Sequence, residues 1–133
     1  MDGFTWPVRI YYEDTDAGGV VYYANYLRFM ERARTEMLRS IGFEQDVMRE
    51  QGFLFAVKRV NIDYHLPARF NQALTIHSRI VHIGKARLTF DQTVMLDTVC
   101  LTSAIIEVAC LDAERFKPTA IPQLLREELQ RVS

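Results

Sequence analysis

Alternation with a period of two dominates the second half of the chain. Leu74, Ile76, Ser78 and Ile80 oppose Thr75, His77, Arg79 and Val81, while Leu88, Phe90, Gln92 and Val94 oppose Thr89, Asp91, Thr93 and Met95. Such runs predict strands with one buried face, placed at roughly 5–12, 53–65, 72–83, 86–98 and 100–112. In the first of these, Val8, Ile10 and Tyr12 alternate with Arg9 and Tyr11. The period changes to three and four between, where Leu27, Met30, Ala33, Met37, Leu38 and Ile41 predict a helix from about Val21 or Asn25 to Ser40, stopped by Gly42. A short second helix is expected around Glu44 to Glu50, ending near Gly52. A last one is expected over about 122–131, approached through Pro118 and Pro122. One long helix followed by four consecutive strands cannot supply βαβ crossovers. The expected class is therefore α+β, a curved five-stranded antiparallel sheet with the long helix packed on one face.

At 133 residues, with no internal repeat, low-complexity tract or linker, residues 1–133 read as a single domain with a core of its own. A net charge of −1 argues against a general nucleic-acid or anionic-membrane binder, since both need a large positive excess. No apolar run reaches the roughly 20 residues a membrane helix needs, and the chain starts with an acid at Asp2 instead of a basic signal-peptide segment. A cytoplasmic location is the expectation. Cys100 and Cys110 fall on one predicted strand, roughly 33 Å apart, which no disulfide spans. Both are expected to be buried free thiols, and neither sits at a metal-binding spacing.

Candidate chemistry concentrates in Tyr12-Glu13-Asp14-Thr15-Asp16-Ala17-Gly18-Gly19-Val20-Val21-Tyr22, which sets acids and two glycines between a strand and a helix. A carboxylate there lies near a helix N-terminus, whose free N–H groups attract negative charge and can polarise a carbonyl. The plain alternative is that Asp14 or Asp16 caps the helix or closes an Asx turn, and the two roles can coexist. A calcium loop starting at Asp14 fails because Asn25 stands where a bidentate Glu belongs and Gly18 takes a ligand position. A haloacid-dehalogenase-type phosphatase is a remote third reading, since Gly18 sits where Thr or Val is usual and the parallel α/β pattern is missing, and no dinucleotide or P-loop fingerprint follows the glycines. No serine sits in a nucleophile elbow, and His65, His77 and His82 are scattered over strands. A carboxylate is what remains for catalysis.

Charge carries a second signal. From Tyr64 to Phe90 there is no acid, while Arg69, Arg79, Lys85 and Arg87 accumulate with the three histidines. The bland account is basic residues protecting sheet edges. The functional one is a phosphate-bearing ligand, held by Lys85 and Arg87 beside Gly84 in an expected hairpin.

The acidic motif, with Asn25-Tyr26 and Glu31-Arg32-Ala33-Arg34-Thr35-Glu36 after it, closely resembles the hotdog-fold acyl-CoA thioesterases of the 4-hydroxybenzoyl-CoA thioesterase family, of the YbgC type associated with the Tol-Pal system. The match extends more weakly through Pro67-Ala68-Arg69-Phe70 and Lys117-Pro118. The resemblance implies a hotdog fold, in which the sheet wraps around the long central helix. It implies hydrolysis of acyl-CoA, with Asp16 as nucleophile or general base, Asp14 in support, and the backbone N–H of Tyr23 polarising the thioester carbonyl. Many members carry histidine where this chain has Tyr23; a backbone donor survives that change, whereas an imidazole role does not. The nucleotide of coenzyme A would lie near Val57, Lys58, Arg59, Lys85 and Arg87. The acyl group would lie at a subunit interface, in a pocket with candidates Phe29, Met30, Met48, Phe53 and Phe55. Edge-to-edge dimers assembled into a homotetramer are implied, with no metal or redox cofactor. A different class remains open: an adaptor that binds acyl-CoA or acyl carrier protein in envelope or phospholipid metabolism with little turnover.

Overall fold

In the computed structural model, residues 3–133 are described; Asp2, used above to weigh a signal segment, lies outside them. Strands β1 (Phe4–Arg9), β2 (Phe53–Tyr64), β3 (Ala73–Ile83), β4 (Arg87–Leu96) and β5 (Val99–Asp112) form an antiparallel sheet in the order β1-β3-β4-β5-β2. Helices α1 (Asn25–Ser40), α2 (Gln45–Glu50) and α3 (Gln123–Val132) complete the chain. The α+β architecture expected from periodicity is the one observed.

Register explains why the alternating residues form one surface. Ile76, Val94 and Thr102 make one cross-strand rung; Ser78, Gln92 and Ala104 make the next, followed by Ile80, Phe90 and Ile106. All nine side chains are buried. Helix α1 covers this face with Tyr26, Phe29, Met30, Ala33, Met37 and Leu38, and Ala33, fully buried, keeps the contact close. Irregularities at Val57/Arg59, Ile80/His82 and Val94/Met95 interrupt the ladders, and bulges of this kind bend a sheet. Packing of α1, Ile121, Leu125 and Leu129 on the inner face gives one continuous core cluster.

Three expectations change. Strand β1 ends at Arg9 instead of about residue 12, because Tyr12–Asp14 form one turn of 3-10 helix and leave Tyr12 exposed. Leu27 lies off the helix's buried stripe, which begins instead at Tyr26 and Phe29. Cys110 is buried and Cys100 only partly so, although both are free and share β5. No helix among the described residues is long and apolar enough to cross a membrane.

Desolvation pushes the Cys110 thiol up to about 11, so the reactive thiolate is about a thousandth of the population at pH 8. Peptide mass spectrometry after mild iodoacetamide treatment should find Cys100 alkylated first. Cys110 should react only after denaturant is added.

Candidate active site

The acidic motif folds into two nested turns. Asp14 is buried; its Oδ2 accepts the Tyr11 N–H at 2.9 Å, while its carbonyl accepts the Tyr22 N–H at 3.0 Å and the Asn25 side-chain amide at 2.9 Å. Asp16 is exposed, and its Oδ1 accepts the Gly18 N–H at 2.8 Å, an Asx turn. Around it the Asp16 N–H donates to Val20 O at 2.9 Å, and Thr15 bridges Val21. Gly19 holds φ at +80°, a left-handed value that a side chain would strain, and a Cβ on Gly18 would stand 3.2 Å from Asp16 Oδ1. The loop therefore presents a carboxylate in a defined place.

The start of α1 is open. Its cap, Ala24, offers no side-chain bond, so neither aspartate caps the helix. Among the described residues, the backbone N–H groups of Tyr23 and Ala24 have no acceptor, whereas those of Tyr22 and Asn25 on either side do. Two adjacent donors at the positive end of a helix dipole suit a developing oxyanion. Tyr64 fixes their position by donating its hydroxyl to Tyr23 O at 3.1 Å. Burial, then neighbouring Tyr23 and Tyr26, raises the Tyr64 pKa and keeps that proton in place. The loop after β2 completes the support: Val21 N–H donates to Ala68 O at 2.8 Å, Ala68 N–H donates to the Tyr26 hydroxyl at 3.0 Å, and Phe70 stacks on Tyr12.

The residues expected to hold the nucleotide gather elsewhere, on the outer part of β2, β4 and β5. Lys58 and Arg87 share the Glu107 carboxylate at 3.8 and 3.2 Å, and Arg79 meets Asp91 at 3.1 Å. The acid-free stretch is thus partly neutralised by acids that follow it in sequence and face it across strands. Arg59, whose register partner is Glu107, and Lys85 have no carboxylate within ion-pair distance among the described residues. Lys85 lies in the hairpin joining β3 to β4, as expected. That hairpin is pinned by Arg126, which donates to Gly84 O and Lys85 O at 2.6 and 3.0 Å.

Beneath Val57, between α1 and the sheet, lies a cavity of about 280 Å³ lined by Glu31, Arg34, Phe55, Val57, Leu88 and Phe90, among others. Of the five side chains considered as pocket candidates, Phe55 lines it, whereas Phe29, Met30, Met48 and Phe53 pack elsewhere in the core. The cavity does not adjoin Asp16 within one chain. Tyr64, beside Tyr23, stands seven residues along β2 from Val57, roughly 23 Å for an extended strand. Sequence reasoning passed over Arg34, although a charged residue one step from Ala33 within the apolar stripe was a readable signal.

A family model described as the thioesterase superfamily matches residues 18–100, a segment that contains Tyr23 and the basic candidates and begins just after Asp16. "Acyl-CoA thioesterase YbgC" of Haemophilus influenzae is 46% identical over 123 residues, 92% of this chain and 90% of that protein. "Acyl-CoA thioester hydrolase YbgC" of Escherichia coli is 41% identical over 129 residues, 96% of each. Among solved structures, a "Probable Thioesterase" from Bartonella henselae superposes with a TM-score of 0.85 at 35% identity, covering 89% of this chain and 98% of that one.

The two aspartates should separate in a denaturation experiment. Asp14→Ala leaves the Tyr11 N–H without its acceptor and should cost about 1–2 kcal/mol. Asp16→Asn retains an oxygen for the Gly18 N–H and should stay within about 0.5 kcal/mol of the parent.

Proposed function

The chain belongs to the thioesterase superfamily, and from that premise we propose that it hydrolyses acyl-CoA to a free acid and coenzyme A. The observation that carries the proposal is the pair of unpartnered N–H donors at Tyr23 and Ala24, next to a loop that fixes the Asp16 carboxylate. A thioester carbonyl oxygen seated on those donors is polarised, and stabilisation grows as charge develops on it. Asp16 then either attacks the carbon, giving a mixed anhydride that water opens, or takes a proton from an attacking water. In both routes the thiolate of coenzyme A leaves and is protonated. No metal or redox cofactor is needed for either. The Tyr23 side chain takes no part in the proton transfers, its contribution being the backbone donor.

We infer that a second copy brings Asp16 to the cavity. Strand β2 is an edge, and Val57, Lys58, Arg59, Val60 and Asn61 along it are exposed. Antiparallel pairing of two such edges about the middle of β2 sets the Tyr64 end of one copy against the Phe53-to-Val57 end of the other. Each catalytic loop then serves the partner's cavity, with the acyl group in the cavity and the nucleotide along Val57, Lys58, Arg59, Lys85 and Arg87. Two such dimers make the homotetramer. Free thiols at Cys100 and Cys110 and a CoA-linked substrate support a cytoplasmic location.

Asp16→Asn should lower kcat for CoA release at least a hundredfold in a folded protein; undiminished hydrolysis would remove Asp16 from the mechanism. Lys85→Ala and Arg87→Ala should each raise KM severalfold with little change in kcat, the mark of uniform binding. The same KM for the CoA ester and for a short thioester without the nucleotide would count against that clamp. Sedimentation should show no free species at the 15.5 kDa of one chain under assay conditions.

A further inference from the structure

Arg34 has no role in the hydrolytic steps, yet it is the one cation built into the inner wall of the cavity. It is 8% exposed. Its Nη1 donates to Gln92 Oε1 at 2.9 Å, and Gln92 is itself held by donating to Met30 O at 3.0 Å and Ser78 Oγ at 2.8 Å. The guanidinium carbon lies 6.0 Å from the Phe90 ring centre. Among the described residues no carboxylate comes within ion-pair distance of it. Glu31, exposed on the cavity rim, favours the charged form from further away, while burial works against it.

The remaining donors of Arg34 are open to the cavity. Among the described residues, the fully enclosed side-chain polar atom without a partner is Thr102 Oγ1, so Nε and Nη2 of Arg34, which bond no protein acceptor, are not sealed in protein. An oriented, desolvated guanidinium with no carboxylate at ion-pair distance is poised for an anion, even with Glu31 and Gln45 on the same lining, and its planar fork matches a carboxylate. Phe55, Leu88, Phe90 and Val108 offer surface for methylene groups leading to it. A volume of about 280 Å³ leaves room for a short chain and one carboxylate. A dianionic phosphate would find one cation and mostly apolar walls.

We propose that Arg34 determines acyl specificity and that the preferred substrates are short dicarboxylic acids joined to coenzyme A through one carboxyl, the other, free carboxylate resting on Arg34. The proposal rests on the thioesterase reading for the location of the acyl group. It predicts a preference that a purely structural role for Arg34 in anchoring Gln92 would not produce.

Calorimetry with two non-hydrolysable CoA thioethers of equal length, one ending in a methyl and one in a carboxylate, gives the test on the intact oligomer. The wild type should bind the carboxylate ligand about thirtyfold more tightly, in keeping with a charge-assisted hydrogen bond. Arg34→Met should bring the ratio to within threefold of unity, and Arg34→Lys should keep part of the preference. Equal or weaker binding of the carboxylate ligand by the wild type would overturn the proposal, as would a ratio that survives Arg34→Met. If Arg34→Met does not fold, the wild-type ratio and Arg34→Lys decide. Release of CoA from the carboxylate-ended and the methyl-ended thioester by the wild type is followed separately. Discrimination without turnover sinks the hydrolase and leaves the anion site standing, whereas turnover without discrimination sinks the anion site alone.

Discussion

One amide in the middle of an apolar surface sets the position of the central helix. Gln92 is fully buried and spends its side chain on three partners: the Met30 carbonyl of α1, Ser78 of the neighbouring strand, and the Arg34 guanidinium. Apolar contacts between a helix and a sheet are non-directional and would tolerate a sliding helix. A buried hydrogen-bond set does not, because shifting α1 along its axis would orphan several polar groups at once in a low-dielectric interior. The location of the Tyr23 and Ala24 donors relative to the sheet depends on this central lock together with the Tyr64 hydroxyl that holds Tyr23 O.

The candidate site falls into two parts that one chain keeps apart. The donors and Asp16 gather at the Tyr64 end of the edge strand, while the cavity and the basic residues gather towards its other end. An edge strand exposing Val57 and Val60 would ordinarily be guarded by charge or covered. Here the charges on it are Lys58, which pairs with Glu107, and Arg59. The edge-to-edge pairing proposed for β2 would answer both the exposure of the edge and the separation of the two parts.

Most of the fold was legible because its sheet has one wet face and one dry one, so alternation survives in the sequence almost intact. Even Ser78 and Gln92 were correctly assigned to the inner face by position, although their partners were not. What stayed hidden depends on contacts between distant residues. The 3-10 turn that ends β1 early is closed by the Asp14 side chain, and Leu27 drops out of the stripe because Tyr26 and Phe29 take up the helix–sheet contact. Ion pairs such as Arg87 with Glu107 join residues 20 apart and cannot be seen in a local charge count. The acidic motif was legible as a loop before a helix; its two aspartates part company only once burial is known. Arg34 was visible as a charge beside core positions, and its meaning required the cavity.

The hairpin between β3 and β4 has a debt to a much later part of the chain. Its Gly84 and Lys85 carbonyls are bonded by Arg126, 42 and 41 residues further on, and Lys85 O also accepts the Ile121 N–H. During synthesis the sheet can therefore zip together while the turn bearing Lys85 still lacks its clasp. The helix that clasps this loop also carries the buried Leu125 and Leu129, so ordering of the hairpin and completion of the core arrive together.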